Sequence, residues 1–263
     1  MNPKSSRRNF IKTGALAGIV SALPFNAVFA ETYANDYKSG SNEKNLVFLF
    51  QGDSITDGNR GRNTDPNHIM GHGYAFSVAS RIGADFPDKG LTFYNRGISG
   101  NTIKDLQQRW QTDTLDIKPD VLSILAGIND IDRVVNNPDS ESGIEEFEVV
   151  YRDILEQTRN QNPEILLVIG LPFFFPIGSR KEQGDLWKKE TKKKSLTVKK
   201  LASEYSAMVV DYPTVFEKAM QKTKPEYWIW DGIHPTIFGH ELMAREWIKQ
   251  VATRLSFLKK YKY

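Results

Sequence analysis

Five short apolar runs, each separated from the next by a longer stretch, restrict what this chain can fold into more than any other feature. The runs are Leu46–Phe50, Leu91–Tyr94, Val121–Leu125, Ile165–Ile169 and Ala207–Val210. Between and after them, Gly73–Phe86, Thr102–Asp113, Gly143–Gln161, Lys181–Tyr205 and Ile237–Leu258 follow a helical pattern; the first of these spaces Phe76, Ala79, Ile82 and Phe86 along one face. A strand covered on one face alternates apolar and polar residues, whereas a strand covered on both reads as a continuous apolar run. The pattern therefore predicts one α/β domain over residues 45–263, a three-layer α/β/α sandwich around a five-stranded parallel sheet. In such a sheet the reacting groups gather at the carboxyl ends of the strands. The residues just after each run are where chemistry should be sought.

Four segments carry such residues. The first run leads into Gln51-Gly52-Asp53-Ser54-Ile55-Thr56-Asp57-Gly58, and the second into Asn95-Arg96-Gly97-Ile98-Ser99-Gly100-Asn101-Thr102. The third leads into Ala126-Gly127-Ile128-Asn129-Asp130, and Trp230-Asp231-Gly232-Ile233-His234-Pro235 follows late in the chain. Together they hold the parts that acyl transfer needs. A serine hydroxyl becomes a nucleophile when a base takes its proton, and a histidine near neutrality serves as that base. The imidazole needs a carboxylate to fix its tautomer and stabilise its charged form. Asp231 and His234 are close enough in sequence to meet on one turn. The oxyanion of the tetrahedral intermediate needs donors: the Ser54 N–H, the Gly100 N–H and the side-chain amide of Asn129. Each segment alone also fits a plain structural role, as a turn or a helix cap. The conjunction of four, in order and mostly after strands, selects the catalytic reading.

At these residues the chain resembles the SGNH (GDSL-type) hydrolase family, whose defining Ser, Gly, Asn and His correspond to Ser54, Gly100, Asn129 and His234, with the family's Asp at Asp231. The resemblance spans Asn45 to the end. It implies a flavodoxin-like strand order and a serine esterase mechanism without metal or cofactor. A Gly-x-Ser-x-Gly elbow, the mark of α/β-hydrolases, does not surround Ser54. Finer markers are similar to bacterial esterases that deacetylate xylan: Gly52–Asp57, Gly71-His72-Gly73-Tyr74, Asn95–Thr102 with Arg109-Trp110, and Tyr227–Pro235. One departure is Ile131-Asp132 after the Gly-x-Asn-Asp block, where that group often has an aromatic.

Asp53, His72, Tyr74, Trp228 and Trp230 stand beside these segments and are the candidate substrate contacts; the two tryptophans suit either sugar stacking or loop packing. His68 reads as a solvated loop residue and His240 as structural. The four histidines lack metal-ligand spacing, so no metal is expected. Phe173-Phe174-Phe175 fits a core edge or one wall of a cleft, and Lys188–Lys200 reads as a solvated helix face.

Residues 1–30 form a separate unit of meaning. Arg7-Arg8, a mildly apolar stretch from Thr13 to Phe25 and Val28-Phe29-Ala30 follow the order of a twin-arginine-type signal peptide with cleavage after Ala30. This predicts an exported bacterial protein, periplasmic or extracellular, whose first partner is the export machinery. Residues 31–44 read as a polar tail. The leader also accounts for the formal charge of +3: without its four basic residues, 31 basic face 32 acidic side chains. A nearly neutral mature chain argues against a nucleic-acid partner. With no cysteine, disulfides and thiol nucleophiles are excluded. The expected activity is hydrolysis of short acyl esters, foremost O-acetyl groups on polysaccharides or oligosaccharides such as xylan. A lipase or lysophospholipase of the same family and a non-catalytic carbohydrate-binding module are the alternatives. Homo-oligomerisation is left open.

Overall fold

The five apolar runs form the strands β1 (Val47–Gly52), β2 (Thr92–Asn95), β3 (Val121–Leu125), β4 (Leu166–Gly170) and β5 (Met208–Val210). All neighbours pair in parallel, in the order β2-β1-β3-β4-β5, which is the flavodoxin-like arrangement. The computed structural model describes residues 43–137 and 143–261. The signal peptide read at residues 1–30, and all but the last two residues of the polar tail, lie outside the described residues.

Eight helices among the described residues accompany the sheet: α1 (Ser54–Asp57), α2 (Tyr74–Asp85), α3 (Ile103–Gln108), α4 (Ile128–Asn136), α5 (Ile144–Gln161), α6 (Gly184–Glu204), α7 (Tyr212–Met220) and α8 (Ile237–Val251). Successive strand residues face opposite ways, so each strand except the edge strand β2, whose Thr92 and Tyr94 are exposed, feeds two cores. Phe48 and Phe50 of β1 pack with Tyr74 and Val78 of α2, Phe216 of α7 and Trp247 of α8. Leu49, between them, packs with Leu106 of α3, Ile154 of α5 and Leu201 of α6. Burying one large side chain of this kind contributes roughly 1.5–3 kcal/mol. Ser123, a hydroxyl in the middle of β3, is accommodated because the buried Trp247 indole N–H donates to its Oγ at 3.0 Å.

Several element ends differ from the sequence reading, each for a local reason. The helix expected over Thr102–Asp113 stops at Gln108 and gives way to a π-turn at Gln111–Leu115. Gln51 Nε2 draws in the Asp113 carbonyl and the Thr114 hydroxyl, both at 2.8 Å. Arg109 meanwhile reaches inward to Gln51 Oε1, the Arg96 carbonyl and Asn101 Oδ1. The last helix ends at Val251, and Ser256–Lys260 forms a separate 3-10 turn whose first amides donate to the Glu43 carboxylate. The segment 181–205 becomes α-helical only at Gly184, because Gly178–Lys181 forms its own 3-10 turn. Three helices were not anticipated, α1, α4 and α7. The last is started by the Asp211 carboxylate, which accepts from Thr214 N at 3.2 Å, and by a proline in its first turn.

Candidate active site

Strand β1 ends at Gly52, and the chain turns at once into α1, which begins with Ser54. The turn is made by Asp53, whose extended backbone precedes the helix and whose Oδ1 accepts from Ile55 N at 3.0 Å. Ser54 stands half-exposed at the carboxyl edge of the sheet. Its Oγ lies 2.8 Å from His234 Nε2, although the two are 180 residues apart. His234 Nδ1 lies 2.7 Å from Asp231 Oδ2. Such a line of hydroxyl, imidazole and carboxylate can pass a proton from an attacking oxygen and hold the imidazolium that results.

The loop that carries His234 and Asp231 is fixed by a small antiparallel bridge between Ile229 and Pro235. Trp230 N donates to the His234 carbonyl and Thr236 N to the Trp228 carbonyl, at 3.1 and 2.8 Å. Inside it, Asp231 Oδ1 accepts the amides of Ile233 and His234, at 3.1 and 2.8 Å. Burial alone would raise the Asp231 pKa, but the hydrogen bonds from His234 and Ile233 outweigh it and bring the group down to about 2. The carboxylate therefore stays charged across the physiological range.

The donors expected for an oxyanion follow the strands next to β1. Gly100 has φ +84° and open space where a side chain would be, so its amide can be approached closely. Asn129 sits in the first turn of α4, and its Nδ2 donates to the Asn101 carbonyl at 2.9 Å. That leaves the second amide hydrogen for another acceptor. Ser54, Gly100 and Asn129 thus follow β1, β2 and β3, around the point where the strand order reverses.

The loop bearing Gly100 is held by residues that sequence reasoning had not assigned. Asp57 Oδ2 accepts from both Ser99 N and Ser99 Oγ at 3.0 Å and from Arg62 Nη2 at 2.7 Å, while Oδ1 accepts from Arg60 N and Arg62 Nη1. Asn95 Nδ2 donates to the carbonyls of Thr56 and Met70, and Asn95 Oδ1 accepts from Gly97 N. Gly97 presses so close to α1 that a Cβ there would meet Asp57 N at 2.4 Å. Asp130, next to Asn129, accepts from Ile103 N with both oxygens, at 3.3 and 3.2 Å, tying α4 to the start of α3. Burial raises Asp130 to about 6, with Lys194 opposing the shift. Arg180 also enters the site unforeseen: its Nη1 donates to the Asp231 carbonyl and to Asp231 Oδ2, both at 3.0 Å.

Two of the expected substrate contacts are corrected by burial. Tyr74 is wholly buried, with its ring edge-on to Phe50 and its hydroxyl 3.2 Å from Thr56 Oγ1. It lies on the same helical face as Val78 and Ile82 and packs inward with them. Asp53 is equally buried, because capping α1 turns its carboxyl under the helix. Burial raises its pKa to about 7. His72 is exposed beside the buried Tyr74, and Trp228 is half-buried against the core. Trp230 is 61 % exposed, and its ring is stacked with the His234 ring at 20° and 6.0 Å between centroids. His240 is structural, as expected: its Nδ1 accepts from Tyr74 N at 3.1 Å, and burial lowers its pKa to about 4. His68 is exposed and pairs with Asp65. Phe173 and Phe174 belong to the core, the latter stacked on Trp187. Among the described residues no group of three or more His, Asp or Glu side chains is arranged to hold a metal ion.

Known proteins resemble this chain in sequence and fold. Residues 50–242 match the GDSL-like Lipase/Acylhydrolase family. An acetylxylan esterase from Geobacillus stearothermophilus is 32% identical over 219 residues, which cover 81% of this chain and 96% of that protein. Its crystal structure superimposes with a TM-score of 0.70 at 30% identity, over 80% of this chain and 96% of the esterase. Variants of that esterase described as catalytic mutants replace a serine, an aspartate or a histidine by alanine. A protein from Parabacteroides merdae described as a GDSL-like lipase superimposes with a TM-score of 0.75 at 33% identity, over 80% of this chain and 97% of its own. The chain is thus an esterase of the SGNH hydrolases and belongs to the GDSL-like lipase/acylhydrolase family.

Proposed function

We propose that the protein removes short acyl groups from carbohydrate esters, foremost O-acetyl groups on polysaccharides or oligosaccharides such as xylan, through an acyl-enzyme on Ser54. The observation that carries this reading is the relay of 2.8 Å from Ser54 Oγ to His234 and 2.7 Å from His234 to Asp231. The similarity to an acetylxylan esterase supports the acetyl-carbohydrate part. Trp230 adds to it, since an exposed indole beside His234 offers a sugar ring an apolar face.

In the first half-reaction Ser54 Oγ attacks the ester carbonyl carbon while its proton passes to His234 Nε2. Asp231 holds the imidazolium, and the N–H groups of Ser54, Gly100 and the Asn129 amide receive the oxyanion. When the intermediate collapses, the bond from the acyl carbon to the sugar oxygen breaks and that oxygen takes the proton from His234. Water then attacks the acyl carbon as His234 takes its proton; the bond to Ser54 Oγ breaks, Ser54 Oγ takes the proton back from His234, and acetate leaves. The substrate being an extracellular polymer agrees with export of the chain by way of residues 1–30.

Fluorophosphonate labelling tests the nucleophile: wild type should label and Ser54→Ala should not, and equal labelling of both rejects Ser54. Hydrolysis of p-nitrophenyl acetate should exceed that of the octanoate, and acetylated xylan should release acetate. A clear preference for the octanoate discards the acetyl reading in favour of a lipase.

A further inference from the structure

We infer that Arg180 acts on the Asp231–His234 pair as a positioning and charge-setting residue, one that keeps His234 free to act as a base in mildly acidic surroundings. The inference rests on the esterase reading above, with His234 as the base. Asp231 Oδ2 accepts from two donors, His234 Nδ1 at 2.7 Å and Arg180 Nη1 at 3.0 Å. The same Nη1 donates to the Asp231 carbonyl at 3.0 Å, so the guanidinium grips both ends of that residue. Arg180 comes from the 3-10 turn Gly178–Lys181, a different segment from the loop that carries the pair.

Its position is built, not accidental. The guanidinium lies over the Trp187 ring, 5.5 Å from the centroid, and Trp187 is itself buried and stacked on Phe174. Arg180 is largely covered, with about a quarter of its side chain exposed (24%), so solvent screens its charge less than at an open surface.

A carboxylate alone beside an imidazole favours the charged imidazolium. A guanidinium on the same oxygen offsets part of that negative charge and repels the imidazolium across the shared atom. Asp53, beneath α1, and His240, from α8, are in electrostatic reach of His234; His72 acts in turn on His240. Burial raises the Asp53 pKa to about 7 and lowers that of His240 to about 4. Asp231 and Arg180 carry the charges on the Nδ1 side of the His234 ring. The Trp230 ring over His234 is neutral.

The test compares wild type, Arg180→Met and Arg180→Lys as full-length proteins, by acetate release from p-nitrophenyl acetate across the acid limb of kcat/KM, which reports on the free enzyme. In Arg180→Met the limb should move to higher pH by about half to one unit, a threefold to tenfold loss on the acid side relative to the plateau. Arg180→Lys, which keeps the charge, should restore most of it. An acid limb that coincides with wild type in Arg180→Met overturns the inference, and a loss equal at all pH values does too, since it marks a purely structural support. NMR titration of the His234 ring in wild type and Arg180→Met reads the same shift without turnover. If wild type neither labels nor releases acetate, the esterase reading fails, while this titration still decides the role of Arg180. Should Arg180→Met not fold, Arg180→Gln takes its place in both measurements.

Discussion

Asp53 stands directly before Ser54 and carries an unusual burden for a surface-loving side chain. Its Oδ1 accepts from Ile55 N, but Oδ2 is buried without a hydrogen-bond partner. An ionised carboxylate in that position would lack donors for one oxygen. Burial accordingly raises its pKa from 3.8 to about 7, with the Ile55 amide and His234 opposing the shift and Asp130 adding to it. A group whose folded pKa lies above its unfolded one stabilises the fold fully below the unfolded value and loses that contribution as pH rises through the folded one. Wild type should therefore lose stability through Asp53 between about pH 4 and about pH 7. Asp53→Asn keeps an oxygen for the Ile55 amide and cannot ionise, at a pH-independent cost of ~1–3 kcal/mol for burying an unpaired NH₂. From about pH 4.5 to about pH 8, the difference in unfolding free energy between variant and wild type should move by about 3 kcal/mol in the variant's favour. Titrations of the remaining carboxylates occur in both proteins and cancel in that difference. Urea denaturation followed by circular dichroism at the two pH values measures it. A difference that stays constant with pH would refute the argument, because it would mean that Asp53 is ionised in the folded protein.

The other predictions concern the oxyanion side. Asn129→Ala should lower kcat by about 10²–10³-fold, the usual loss on deleting one oxyanion donor, with KM nearly unchanged; steady-state acetate release measures both, and an unchanged kcat removes Asn129 from the mechanism. Gly97→Ala places a Cβ 2.4 Å from the Asp57 amide, against backbone that cannot rotate away. It should cost ~1–3 kcal/mol in unfolding free energy and lower kcat by displacing Ser99 and Gly100, and wild-type stability would show that the loop yields more easily than its contacts imply.

What was legible in the sequence follows from where the deciding forces lie. The strands were readable because both faces of the sheet are covered, which leaves continuous apolar runs; β3 coincides with Val121–Leu125 as expected. Helix ends were less so, since side chains from elsewhere set them: Gln51 diverts the Asp113 carbonyl, and Arg109 turns inward to Gln51, the Arg96 carbonyl and Asn101. The start of α7 did carry a cue, an Asp cap followed by proline, but a nine-residue helix burying Tyr212, Phe216 and Ala219 gives a weak periodic signal. Tyr74 carried one too: its spacing to Val78 and Ile82 marks the buried face, and a motif beside the site drew attention from it.

The candidate site divides along the same line. Asp231 and His234 are three residues apart, so their bond is nearly a local property of the chain, and Ser54 and Asn129 are chemistry-bearing residues placed just after strands. Asp57 and Arg180 had no such mark. In sequence Asp57 is an acid at the end of a turn and Arg180 a base in a polar stretch; Asp57 meets Ser99, and Arg180 meets Asp231, only when separate loops converge. The raised pKa values of Asp53 and Asp130 are further still from the sequence, because they depend on burial and on which charges face them. Residue type and spacing can therefore name the groups of such a site, whereas Arg180, Asp53 and Asp130, the neighbours that bear on their charge, are recognisable only once the chain is folded.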